Sequence, residues 1–203
     1  NGAIEISGAL CSRNLGSYVA TSGGRRSYEV IRRGSKIFNM PVQSKNPYII
    51  YKNISRITKL IKNNSINIIH ARSRAPAWSA RYAASRMKIP FVTTFHGTYE
   101  LQNKIKKRYN SIMLNADRVI AISNFIAEHI KKEYEVDDEK VSVIPRGVDL
   151  SIFDASKVTA ERLVSASNKL GLTESASTIL LPGRMTRWKG HALLIEALAI
   201  LKR

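Results

Sequence analysis

The chain has 203 residues, 44% of them hydrophobic, which is enough to bury a core and excludes a wholly disordered polymer. Lysine and arginine number 33 against 15 acidic residues, a net charge of +18 that favours anionic partners: nucleic acid, lipid headgroups or anionic substrates. The longest apolar runs fall far short of a membrane span, and a lone cysteine, Cys11, excludes an internal disulfide and fits a reducing, cytoplasmic setting.

In chain order, Ile4, Ile6, Ala9 and Leu10 share a helix face that stops near 14–16. A short strand at 18–20 ends at Gly23-Gly24, a helix over 25–33 is closed by Gly34, and 36–40 reads as a strand. Residues 47–63 make an amphipathic helix, with Ile50, Ile54, Ile57 and Ile61 on one face and Lys52, Arg56, Lys59 and Lys62 elsewhere. Then follow a strand at 66–70, a helix at 76–87 with Pro76 in its first turn, and a strand at 91–95 rich in β-branched and aromatic residues. A helix over 99–115, a strand at 118–122, a helix at 124–134 capped by Ser123 and a strand at 141–144 closed by Pro145 complete the alternation. Such alternation predicts a Rossmann-like α/β fold, a parallel sheet with helices on both faces, whose ligands bind beyond the carboxyl ends of the strands. The strand order stops after Pro145-Arg-Gly-Val-Asp149. A polar helix at about 156–170 leads to a new strand at 178–181 and a helix at 191–201, so two domains are expected, 1–152 and 153–203.

Two strand ends gather residues fit for a site. His70-Ala-Arg-Ser-Arg-Ala-Pro-Ala-Trp78 brings a histidine, Arg72, Arg74 and Trp78 into one turn, and His96-Gly97-Thr98-Tyr99 follows the strand at 91–95. Either histidine alone is more often a satisfied structural residue than a catalyst; both at neighbouring strand ends beside Gly97 and the arginines point to a site. Between the last strand and helix runs Pro182-Gly-Arg-Met-Thr-Arg-Trp-Lys-Gly190, a glycine-bounded loop with Arg184 and Lys189 at a helix N-terminus. Backbone N–H groups, the helix dipole and two cations suit a phosphate there. A surface loop with solvated cations fits the same spacing. No His/Cys/Asp cluster has metal-ligand spacing, and Asp137-Asp138-Glu139 reads as a solvated loop.

Gly183-Arg184 followed by Lys189-Gly190, together with Trp188, resembles the segment opening the second domain of family 4 retaining glycosyltransferases, which have the GT-B fold. Residues 66–153 resemble the first domain of that family. The resemblance implies that Arg184 and Lys189 hold the diphosphate of a sugar nucleotide and that His96 lies beside the donor sugar's anomeric carbon as the catalytic histidine. It implies a cleft lined by Arg72, Arg74, Trp78, Gly97, Thr98, Tyr99 and Ser123, the last within Ala121-Ile-Ser123. It also implies a crossover at Ile144-Pro-Arg-Gly-Val-Asp149, with Pro145 and Gly147 shaping the turn. The family usually carries Asn where Arg146 stands, so this side chain departs from the pattern.

The family's opening strand and glycine-rich loop would precede Asn1, and its paired glutamates would follow Arg203. The chain is thus expected to be the first domain, lacking its first strand, with a truncated second α/β domain, and not to transfer sugar by itself. The function implied is transfer of a sugar from a nucleotide-diphosphate sugar to a glycan or lipid-linked acceptor with retention, in polysaccharide or lipopolysaccharide synthesis at the cell envelope. The donor is a substrate, and no separate cofactor or metal is expected. The basic helix at 47–63 with Lys104, Lys106, Lys107 and Arg108 suggests peripheral docking on the cytoplasmic face of an anionic membrane. An incomplete, non-catalytic fragment is one alternative. A nucleic-acid-binding protein is another; it has only charge in its favour, with no zinc-finger spacing, aromatic strand or basic arm, and nucleic acid is not an expected partner.

Overall fold

The structure, a computed structural model, describes residues 2–99, 103–150, 153–173 and 177–201. The chain divides into two compact units, 1–149 and 150–203.

In the first unit helices and strands alternate: α1 (Gly2–Cys11), β1 (Tyr18–Thr21), α2 (Ser27–Arg32), β2 (Lys36–Asn39), α3 (Pro47–Asn63), β3 (Ile69–Ala71), α4 (Arg74–Met87), β4 (Phe91–Phe95), α5 (Lys104–Asn110), β5 (Arg118–Ala121), α6 (Asn124–Tyr134) and β6 (Val141–Val143). Every strand pairing is parallel, as the alternation predicts. The strands fall into two sheets instead of one: β1 pairs with β2, and β3-β4-β5-β6 form a four-stranded sheet in sequence order.

Helix ends follow local chemistry. Asn46 accepts a hydrogen bond from the Tyr48 amide and Pro47 takes the first position of α3, while Ser123 caps α6 through the Ile126 amide. The expected helix at 99–115 is shorter. It starts at Lys104, where the Asn103 side chain accepts from the Lys106 amide, and passes into a 3-10 turn at Ser111–Leu114. Tyr99 precedes it in non-helical backbone, and 100–102 lie outside the described residues. The strand expected at 66–70 forms only at Ile69–Ala71, because its partner β4 begins at Phe91, opposite Ile69.

The main core lies on one face of the four-stranded sheet. Ala71, Phe95, Val119 and Ala121 from the strands meet Ala77 and Ala80 of α4, Ile126 and Ile130 of α6, and Met113 of the 3-10 turn. Small alanines on α4 let that helix lie close to the strands. A second cluster joins Ile54, Ile57 and Ile61 of α3 to Ala83 of α4. At the amino ends of β4 and β5, Asp117 clamps the strand start: its carboxylate accepts the Phe91 amide at 2.7 Å and its own amide donates to the Phe91 carbonyl at 2.8 Å.

The second unit holds α7 (Ala160–Leu170), capped by Thr159 and ended by Gly171, and α8 (His191–Leu201). The polar helix expected from 156 begins instead with a separate 3-10 turn at Ala155–Lys157. The strand expected at 178–181 is absent. Ile179 and Leu180 are exposed in irregular backbone, since strand hydrogen bonds need a neighbouring strand and none is described in this unit. Neither α7 nor α8 has a buried residue. Among the described residues no helix is long and apolar enough to cross a membrane.

Phe95 is fully buried among core residues, its ring centre 5.0 Å from that of Tyr99 and tilted by 37° to it. Phe95→Ala is expected to lower the unfolding free energy by about 3–5 kcal/mol, read from urea titration followed by circular dichroism.

Candidate functional site

Side chains of a strand point alternately to its two faces. In β3, β4 and β5, Ala71, Phe95 and Ala121 turn into the core, so His70, Arg72, Thr94, His96 and Ile120 belong to the opposite face, while Ile122, just past β5, touches both the core and the cavity. All six line one cavity of about 980 Å³ at the carboxyl ends of the strands. Its other walls are α1 with Ser12 just past it, the end of α2 at Arg32, Arg33 and Gly34, and the segment after β6, from Ile144 to Asp149.

Cations outnumber acids in this cavity: Arg32, Arg33, Arg72 and Arg146 line it beside Glu5 and Asp149. His70 shares a hydrogen bond of 2.6 Å between its Nε2 and the Thr94 hydroxyl. Burial, then the nearby Arg72, pushes the His70 pKa down to about 4. Burial and then Arg72, Arg146 and His70 push His96 down to about 4 as well. Both rings are therefore neutral at pH 7, able to accept or donate hydrogen bonds without adding charge. The His96 ring is half-buried, and its Nδ1 is fully buried without a hydrogen-bond partner. Arg72 is itself held below the usual arginine value by burial and by Arg146, with Glu5 offsetting this in part. Arg33 donates to Asp149 at 2.9 Å, tying the segment after β6 to the end of α2.

The residues predicted for the site thus separate. Arg72, His96, Pro145 and Gly147 line the cavity. Arg74, Trp78 and Tyr99 come together elsewhere: the Arg74 guanidinium lies 4.3 Å from the Tyr99 ring centre and donates to Asn110 Oδ1 at 2.6 Å, while Trp78 stacks on Tyr109 at 6.1 Å. That cluster holds α4 against α5 and the chain leaving β4. Ser123 spends its hydroxyl on capping α6, and neither Gly97 nor exposed Thr98 lines the cavity. Sequence reasoning set Arg146 aside and missed Thr94, Ile120 and Ile122, which the two-residue alternation from His96 and from the buried Ala121 would have found.

In the second unit the loop at 182–190 is compact. Gly190 sits at φ +75, the left-handed conformation that glycine adopts without strain, and closes a 3-10 turn at Arg187–Lys189. The Lys189 ammonium lies 4.5 Å and the Arg184 guanidinium 5.6 Å from the Trp188 ring centre, so one exposed indole gathers both cations. Gly183 packs beside Lys189 and His191.

The family model described as Glycosyltransferase Family 4 matches residues 2–152. A crystal structure of a glycosyltransferase from Rickettsia africae superimposes with a TM-score of 0.87 at 40% identity, over 99% of this chain and 53% of that one. The chain is 29% identical over 179 residues to the UDP-Gal:alpha-D-GlcNAc-diphosphoundecaprenol alpha-1,3-galactosyltransferase of Escherichia coli, covering 80% of this chain and 44% of that protein. It is 26% identical over 170 residues to the alpha-monoglucosyldiacylglycerol synthase of Streptococcus pneumoniae, covering 75% and 37%. The chain therefore spans about half the length of the solved relative and less than half of these two curated ones.

The two histidines set a pH dependence. Their folded pKa values of about 4 lie below the ordinary value of about 6.5, so the unfolded chain takes up protons first as pH falls. Stability is expected to be complete above about pH 6.5 and to decline toward pH 4. Urea midpoints measured across that range should fall, and the fall between pH 6.5 and 4.5 should flatten when His70 and His96 are both replaced by Gln.

Proposed function

Because the chain belongs to Glycosyltransferase Family 4, we propose that residues 1–152 form the acceptor-side domain, and 153–203 the start of the donor-binding domain, of an enzyme that transfers a sugar from a nucleotide-diphosphate sugar. In this reading the acceptor is a glycan or a lipid-linked sugar, configuration is retained, and the product belongs to the cell envelope. The observation that carries the reading is the cavity at the strand ends, where the neutral, half-buried His96 offers a buried nitrogen with no protein partner. Relatives whose names specify a UDP-sugar donor with a diphosphate-linked lipid acceptor, or a glycolipid product, agree with it.

Each group has a physical role. The Arg184 fork and the Lys189 ammonium, held over Trp188, stabilise the negative charge that grows on the departing nucleoside diphosphate. His96, uncharged at pH 7, holds a hydroxyl of donor or acceptor by hydrogen bonding and so fixes its approach. No cofactor is needed beyond the donor itself.

Calorimetric titration with UDP tests the donor half. The chain should bind UDP saturably, and Arg184→Ala with Lys189→Ala should weaken binding by on the order of 1.5–3 kcal/mol per charged hydrogen bond lost. Undiminished affinity in the double variant would sink the assignment.

The same proposal places the first unit on an anionic membrane through exposed Lys52, Arg56 and Lys59 of α3 and Lys104 of α5. Each such cation near the surface contributes roughly 1 kcal/mol, and salt screens it. Sedimentation with phosphatidylglycerol vesicles should show binding that fades as salt rises. Equal binding to neutral phosphatidylcholine vesicles would count against this surface.

A further inference from the structure

We infer that the cavity of the first unit receives a phosphate group carried by the acceptor, gripped between Arg72 and Arg146. Only the word acceptor rests on the glycosyltransferase reading; the anion site stands on the charges of the cavity.

Arg72 is the first residue past β3 and half-buried, whereas Arg146 stands exposed on the segment after β6. Both line the same concavity, and the charge of Arg146 disfavours that of Arg72. Neither has a hydrogen bond or ion pair to a described residue. The remaining charges nearby do not neutralise them: Arg33 and Asp149 are already paired, and Glu5 offsets Arg72 only in part. A partly desolvated guanidinium with a second cation on the same cavity is unfavourable until an anion approaches it. The neutral rings of His70 and His96, which also line the cavity, do not compete for that anion.

Two guanidiniums on one cavity favour phosphate over carboxylate. One guanidinium fork satisfies the two oxygens of a planar carboxylate; two forks arriving from different elements suit a tetrahedral group with three free oxygens. The apolar part of the wall, Ile6, Ile120, Ile122 and Val148, suits the C–H face of a sugar ring attached to that phosphate. The cavity is built wholly from residues 2–149, whereas the cations proposed to grip the donor diphosphate are at 184 and 189, so the phosphate here is assigned to the acceptor.

The test uses the 203-residue chain at fixed ionic strength, titrated calorimetrically with N-acetylglucosamine 1-phosphate, with N-acetylglucosamine and with UDP. The sugar phosphate should bind at least tenfold tighter than the bare sugar. Arg72→Gln and Arg146→Gln should each weaken the sugar phosphate tenfold or more, while Lys132→Gln, an exposed cation on α6, should not. Arg184→Ala with Lys189→Ala should leave sugar-phosphate binding intact and weaken UDP. In a second readout, saturating sugar phosphate should raise the His96 pKa seen by NMR from its low value, and Arg146→Gln should abolish that rise. Sugar-phosphate affinity unchanged in both single arginine variants would overturn the inference, as would loss of UDP binding in them with no sugar-phosphate binding in the parent chain. UDP insensitive to the double alanine variant overturns the donor assignment instead and leaves the anion site standing. Should Arg72→Gln fail to fold, Arg146→Gln, altered on an exposed segment, decides the matter alone.

Discussion

The two-faced alternation of a parallel strand governs this molecule. In the four-stranded sheet one set of side chains, Ala71, Phe95, Val119 and Ala121, is committed to the core under α4 and α6, and the other set is thereby sent to the opposite face. At the carboxyl ends of the strands that second set consists of two histidines, an arginine, a threonine and two isoleucines, and α1 roofs them over. The chemistry of the cavity is therefore a by-product of packing: fix which residues are buried and the lining follows. Burial also sets its electrostatic tone, because desolvation keeps both imidazoles uncharged while the guanidiniums, far harder to deprotonate, stay cationic.

Much of this was legible in the residues. The amphipathic stripe of α3, the Ser123 cap of α6 and the compact β4 are all encoded within a few neighbouring positions, and each forms where its pattern says. Local hydrogen bonds close a helix whatever surrounds it. Strands need partners from afar, and there the reading loosened: β3 is trimmed to the span that faces β4, two sheets form where one was expected, and 178–181 has the composition of a buried strand without forming one.

The site shows the same division. His96 and Arg72 announced themselves by position after a strand. Arg74, Trp78 and Tyr99 lie equally near strand ends in sequence, yet turn to one another across α4 and α5, a destination decided by aromatic packing that no spacing rule contains. Arg146 departs from a family pattern, yet its charge lowers the pKa of both Arg72 and His96. The loop at 182–190 behaves differently again. Its two cations are organised by the Trp188 ring between them, an arrangement contained within a single turn of chain.

The Asp117 clamp has a consequence for how such a protein diversifies. It fixes the register of β4 against β5 at their amino ends, the end of the sheet away from the cavity. The stagger of these two strands is thus anchored at a point remote from the cavity lining. Substitutions at the opposite rim, at 72, 96, 120 or 122, can then accumulate without disturbing that anchor. One frame can be inherited intact while its recognition surface is rewritten position by position, so that lineages sharing this scaffold come to differ in the molecules they choose and not in how they fold.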